Sequence, residues 1–192
     1  MRYIYVGKKL RIGVEMLPLL CIWIRADGYA ALSAVAAVIL HEAAHAAAAV
    51  LCGRKITSLT LTLPGADMRC AGVCSYRTEL LTFLSGPAVS AACAVFYPAA
   101  PAFALYSLTY GVLNLLPAPC LDGGRALYCA VSAGSGAETA ERTARVCCAV
   151  TLTVLYPCAV FLLFYTSFNC SLLVLCVCVF SSYFRDTGAF VE

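Results

Sequence analysis

The stretch AVILHEAAHAAAAV, residues 37–50, decides how the rest of the chain is read. It lies inside an Ala-rich apolar run over 29–52 that is long enough for a membrane helix. His41 and His45 are four residues apart, so in a helix their imidazoles stand one turn apart on one face and can bind one Zn²⁺. Glu42, beside the first, can take a proton from a water that the metal activates, which is the chemistry of amide hydrolysis. These are the only two histidines in the chain. A charged residue inside a membrane helix costs a few kcal/mol on insertion scales, roughly 3 for Asp, Lys or Arg at mid-helix. A cluster that only glues helices together needs no such spacing.

Composition agrees with a membrane setting. Of 192 residues, 62% are hydrophobic and 12% charged, and the mean hydropathy is +0.88. Soluble domains run at about 45–50% apolar and about 25% charged. A soluble enzyme, a disordered regulator and a nucleic-acid binder are therefore excluded, as is an attached soluble module. The net charge of +3 names no acidic partner. The 13 cysteines are scattered through apolar runs, where thiols act as small buried apolar groups. Cys70 and Cys74, in a more polar loop, are too few to define a zinc site. The first apolar stretch lacks a small-x-small cleavage signal.

Working outward, the chain is expected to be an all-α membrane protein with about six transmembrane helices. The spans are placed at 12–24, 29–52, 79–97, 102–116, 146–166 and 170–184. The first is the weakest, being short and holding Glu15 and Pro18. Residues 1–11 form a strand or interfacial arm. Residues 126–144 hold the Gly/Ser loop SAGSG. Between the second and third spans, ITSLTLTL (56–63) alternates at period two before Pro64–Gly65, which predicts a short β-hairpin. With the N- and C-termini cytoplasmic, twelve of the thirteen basic residues fall inside and only Arg25 outside, as the positive-inside rule expects. His41 then lies toward the cytoplasmic side.

Two histidines and a water leave a zinc site one protein ligand short. The segment NLLPAPCLDGGRAL, residues 114–127, offers Asp122 just past a Pro-broken helix end. Gly123 and Gly124 permit close backbone approach. Asn114 could hydrogen-bond a substrate backbone or an oxyanion. Asp122 reads equally well as the N-cap of a following helix, and Cys120 is a rival zinc ligand.

Together, HEAAH on a membrane helix and NLLPAPCLDGG about seventy residues later resemble the site-2 protease family of intramembrane zinc metalloproteases. The likeness is to its small six-span bacterial branch, which includes the sporulation protease that processes pro-sigma-K. The resemblance implies His41, His45 and Asp122 as ligands of one zinc per chain, Glu42 as base, and Asn114 as a residue that positions substrate or transition state. LSGPAVS, residues 84–90, resembles a Gly-Pro motif of the family and implies Gly86 and Pro87 in the substrate groove. That motif usually ends in Asn, where this chain has Ser90. Pro119 and Cys120 stand where the family often has Phe-Pro. No PDZ or CBS module is seen, so 1–192 reads as one transmembrane metalloprotease domain.

The resemblance further implies a bacterial inner or cell membrane and a membrane-tethered protein substrate, such as a transcription-factor precursor or anti-sigma factor. A membrane-embedded regulatory partner is also implied, and no nucleic acid. The hairpin could hold an extended substrate by β-augmentation, or be a surface hairpin of no catalytic use. The competing class is a metal-binding or metal-transporting membrane protein without protease activity. Against it, only one helix carries such residues at its centre, and no relay leads across the bilayer.

Overall fold

The computed structural model describes residues 3–6, 10–13, 28–62, 65–72, 74–165 and 171–185. The chain divides into two compact units, Met1–Asn114 and Leu115–Glu192.

In the first unit, strands β1 (Tyr3–Val6) and β2 (Leu10–Gly13) precede helix α1 (Gly28–Leu51). Strands β3 (Lys55–Thr62) and β4 (Gly65–Ala71) follow, then α2 (Tyr76–Ala92), a 3₁₀ turn (Cys93–Phe96) and α3 (Pro101–Asn114). The sheet has the order β1-β2-β3-β4. The expected hairpin is present: β3 and β4 pair antiparallel, from Lys55↔Ala71 to Thr62↔Gly65, with an irregularity between Ile56 and Ser58. It belongs to a larger sheet than expected, because β2 pairs parallel with β3 through Leu10↔Leu59 and Ile12↔Leu61. A parallel pair needs a long crossover, and the connection from β2 to β3 contains α1. Residues 12 and 13 of the expected first span are therefore strand; its remainder, 14–24, lies outside the described residues.

α1 packs on α2 and α3. Its buried positions are Ala31, Ser33, Ala34, Ala37, His41, His45 and Ala49, a stripe at helical spacing. Its large residues face out: Leu32 is 69% and Ile39 63% exposed. Small residues inward and bulky apolar ones outward is the pattern of helices packed in lipid. α1 closes in a Schellman motif, with Gly53 N–H donating to Val50 O and Arg54 N–H to Ala49 O, both 2.9 Å. α2 opens with Ser75 as N-cap, its hydroxyl accepting from Thr78 N–H. Arg54 and Glu79, at 3.5 Å, link the end of α1 to the start of α2.

The second unit holds α4 (Asp122–Ser135), α5 (Ala137–Tyr165) and α6 (Ser171–Arg185). The loop expected within 126–144 is not there. SAGSG is the last turn of α4 and a single breaking residue, Gly136, at φ 84°. A glycine takes that backbone without strain, and α5 starts at once. The unit's core is Ala118, Leu121, Cys148 and Val179, with Leu116, Cys120, Leu152 and Leu175 against it. Cys70, Cys74 and the other described cysteines whose state is defined are free thiols.

Among the described residues three helical stretches are long and apolar enough to cross a membrane: Gly28–Leu51, Tyr76–Phe96 and Ala137–Tyr165. α3, at 14 residues, is about 21 Å long, short of a hydrocarbon core of about 30 Å.

Candidate metal centre

The site of the first unit is built where α1 meets α2 and α3. His41 and His45 occupy the inner stripe of α1 and are 1% and 8% exposed. A buried imidazole with unmet ring nitrogens would cost on the order of 1–3 kcal/mol, and α2 meets one nitrogen of each. His45 Nδ1 stands 2.7 Å from Thr82 O. A carbonyl only accepts, so Nδ1 carries the proton and the Nε2 of neutral His45 is left with a lone pair. Thr82 O also accepts from Ser85 Oγ at 2.7 Å. His41 Nδ1 lies 2.8 Å from Ser90 Oγ.

With the outer nitrogens held, the two Nε2 atoms face each other 3.2 Å apart. Gly86 makes the room. A Cβ there would lie 2.7 Å from His41 Nε2 and closer still to His45 Nε2. Two imidazole nitrogens converging on a space kept clear by a missing side chain, one of them fixed in its ligand tautomer, suit a borderline-soft cation such as Zn²⁺. The donor set therefore fits the expected metal.

α3 adds the next layer. Tyr110 donates its hydroxyl to Glu42 Oε1 at 3.2 Å, and its ring meets the His41 ring edge-on at 4.7 Å between centroids. Asn114, 7% exposed, donates its amide to Tyr110 O at 3.0 Å. A Cβ at Gly111 would stand 2.6 Å from Ser90 Cβ, so α3 and α2 meet with no side chain between them at that point.

Of the residues expected from sequence, the structure thus gathers His41, Glu42, His45, Gly86, Pro87 and Asn114 into one helix cluster. Gly86 touches both imidazoles, while the Pro87 carbonyl faces Gly111. Asp122 belongs to the second unit and is the first residue of α4; the N-cap is Leu121, with extended backbone. The alternative reading of Asp122 as the cap of that helix is therefore corrected. Gly123 and Gly124 admit the carbonyls of Leu115 and Ala118 where a Cβ would collide, which folds the Pro117–Cys120 turn back on the start of α4. Cys120 packs against the unit's apolar core. Thr82, Ser85, Ser90, Tyr110 and Gly111 carry parts of the site that the sequence did not assign. The Gly-Pro segment pointed toward Ser90, and nothing in the letters pointed to a main-chain carbonyl.

Residues 89–157 match the model of peptidase family M50. The M50 match takes in Ser90, Tyr110, Asn114 and Asp122 and stops short of His41–His45, so the HEAAH helix is a signal separate from it. The fold is similar to that of the site-2 protease from Methanocaldococcus jannaschii, with a TM-score of 0.63 at 19% identity over 97% of this chain and 94% of that one. The M50 match thus supports, over 89–157, the likeness to the site-2 protease family read from the two motifs, and the structural neighbour shows the fold. No curated protein matches the chain.

Proposed function

We propose that the chain is an intramembrane zinc metalloendopeptidase. It hydrolyses a peptide bond in or near a transmembrane segment of a membrane-tethered protein, such as a transcription-factor precursor or anti-sigma factor. The observation that carries the reading is the pair of buried imidazoles with facing Nε2 atoms, one turn apart, beside a carboxylate on an apolar helix. One zinc per chain, held by His41, His45 and Asp122, supplies Lewis acidity toward the attacking water and the scissile carbonyl. A carboxylate oxygen beside two imidazoles is a common zinc donor set.

The side chains do the remaining work. Glu42 takes the proton of the attacking water and later passes it to the leaving amide nitrogen. The Tyr110 hydroxyl on Oε1 fixes the rotation of that carboxylate, so the proton arrives on a defined oxygen. Asn114 hydrogen-bonds the substrate backbone or the developing oxyanion. Gly86 and Pro87 shape the wall the substrate passes. Six crossings place both termini and the site toward the cytoplasm. α3 and α6 would cross with local thinning of the bilayer or snorkelling of flanking residues.

The test is co-expression with single-span candidate substrates. The wild type cleaves one of them, whereas Glu42→Gln keeps about one zinc per chain and loses about 10²–10⁴-fold in rate, the usual worth of a general base. Near-wild-type cleavage by Glu42→Gln removes Glu42 from the mechanism.

A further inference from the structure

We propose that Ser90 is a positioning residue that selects which ring nitrogen of His41 carries the proton, and so whether His41 can act as a metal ligand. The inference rests on the metalloprotease reading and assigns a role that reading leaves empty.

The two histidines meet different partners through Nδ1. His45 faces a carbonyl, Thr82 O, so its Nδ1 is always the donor. His41 faces a hydroxyl, Ser90 Oγ, which can donate or accept. The facing Nε2 atoms, 3.2 Å apart, have two satisfactory states when both rings are neutral. One Nε2–H donates to the other nitrogen, or both nitrogens turn lone pairs onto a shared cation. His45 Nε2 is bare in both, so the whole difference falls on His41.

In the first state His41 carries Nε2–H, and its bare Nδ1 accepts from the Ser90 hydroxyl. In the second, Nδ1–H donates to Ser90 Oγ and Nε2 is a ligand. Nε2 gives one proton to solvent and Nδ1 takes one up, so the ring stays neutral. Ser90 only turns its hydroxyl, which can donate to the ring nitrogen or accept from it.

A carbonyl in the place of Ser90 would hold both rings in the ligand tautomer and oppose two lone pairs whenever the cation leaves. The amide of an asparagine would have to rotate as a whole. Ser90 itself is held still: it is 2% exposed, with its Cβ tight against Gly111. Only its hydroxyl hydrogen needs to move.

With just two histidines in the chain, ring ¹⁵N spectra of the detergent-solubilised protein decide the matter. Spectra are recorded zinc-stripped and zinc-loaded at about pH 8.5, well above the ordinary imidazole value of about 6.5. One ring should keep Nδ1–H throughout; the other should exchange Nε2–H for Nδ1–H when zinc is added. Ser90→Ala should weaken zinc binding, measured by chelator competition, by about 10–100-fold. His41 holding Nδ1–H in both spectra overturns the proposal without needing any variant to fold. A folded Ser90→Ala chain that binds zinc as tightly as wild type overturns it as well. In both cases the protease reading stands, whereas a wild type that takes up no zinc overturns both.

Discussion

α1 and α5 are the two longest helices among the described residues, and they obey one packing rule while differing in what their buried stripes hold. Each turns small residues inward: Ala31, Ala34, Ala37 and Ala49 on α1, and Ala140, Ala144, Cys148 and Ala159 on α5. Each turns bulky apolar residues outward, with Leu51 87% and Phe164 73% exposed. On α5 the buried stripe is apolar throughout. On α1 two positions of the same stripe hold imidazoles, at the spacing that alanines keep on either side. The candidate metal centre is thus set into a packing seam. The polar cost is met by acceptors across that seam, the Thr82 carbonyl and the Ser90 hydroxyl.

Gly86→Ala strikes the seam at its narrowest point. It should abolish zinc uptake, and cleavage with it, because the added methyl claims the space of both Nε2 atoms. Metal analysis of the purified variant checks this, and a full equivalent of zinc would refute the cradle. Asp122→Asn should weaken zinc binding and abolish cleavage, whereas Cys120→Ser leaves both largely intact. Zinc titration of the two variants separates carboxylate from thiolate ligation.

Overpacking tests the comparison itself. Ala37→Leu and Ala144→Leu each insert bulk into a buried stripe and should each destabilise by about 1–3 kcal/mol, read as a lower thermal midpoint. Only Ala37→Leu, one turn before His41, should also reduce zinc bound per folded chain. An equal loss of zinc in both variants would mean that α5 is part of the metal centre. Tyr110→Phe should do least. It deletes one hydrogen bond, worth about 0.5–1.5 kcal/mol, and lowers kcat by about two- to tenfold with zinc affinity unchanged.

The HEAAH helix was readable because its information is local: five residues fix the spacing of both imidazoles and of Glu42. The β3–β4 hairpin was readable for the same reason, from period-two alternation. The parallel pairing of β2 with β3 was not, since residues 10–12 meet 59–61 only through the fold. SAGSG looked like a loop on Ser and Gly content. Yet α4 runs through it, packed along α5 with Cys129 and Ser132 buried, and tertiary packing overrides such weak propensities. The partner of His45 was invisible because a main-chain carbonyl has no letter of its own. Tyr110 was invisible because an aromatic in an apolar helix is ordinarily packing.

The ion pair between Arg54 and Glu79, with the Schellman closure of α1 beside it, has a consequence for how the molecule can be altered. The chain leaves α1 at Gly53 and returns at Ser75, and those two ends are tied together at their base. Between those ends β3 is held on both sides, by β2 and by β4, while β4 is the outer strand of the sheet. Alterations confined to the outer edge of β4 therefore leave the β2–β3 pairing in place, and the tied helix ends keep α1 and α2 joined.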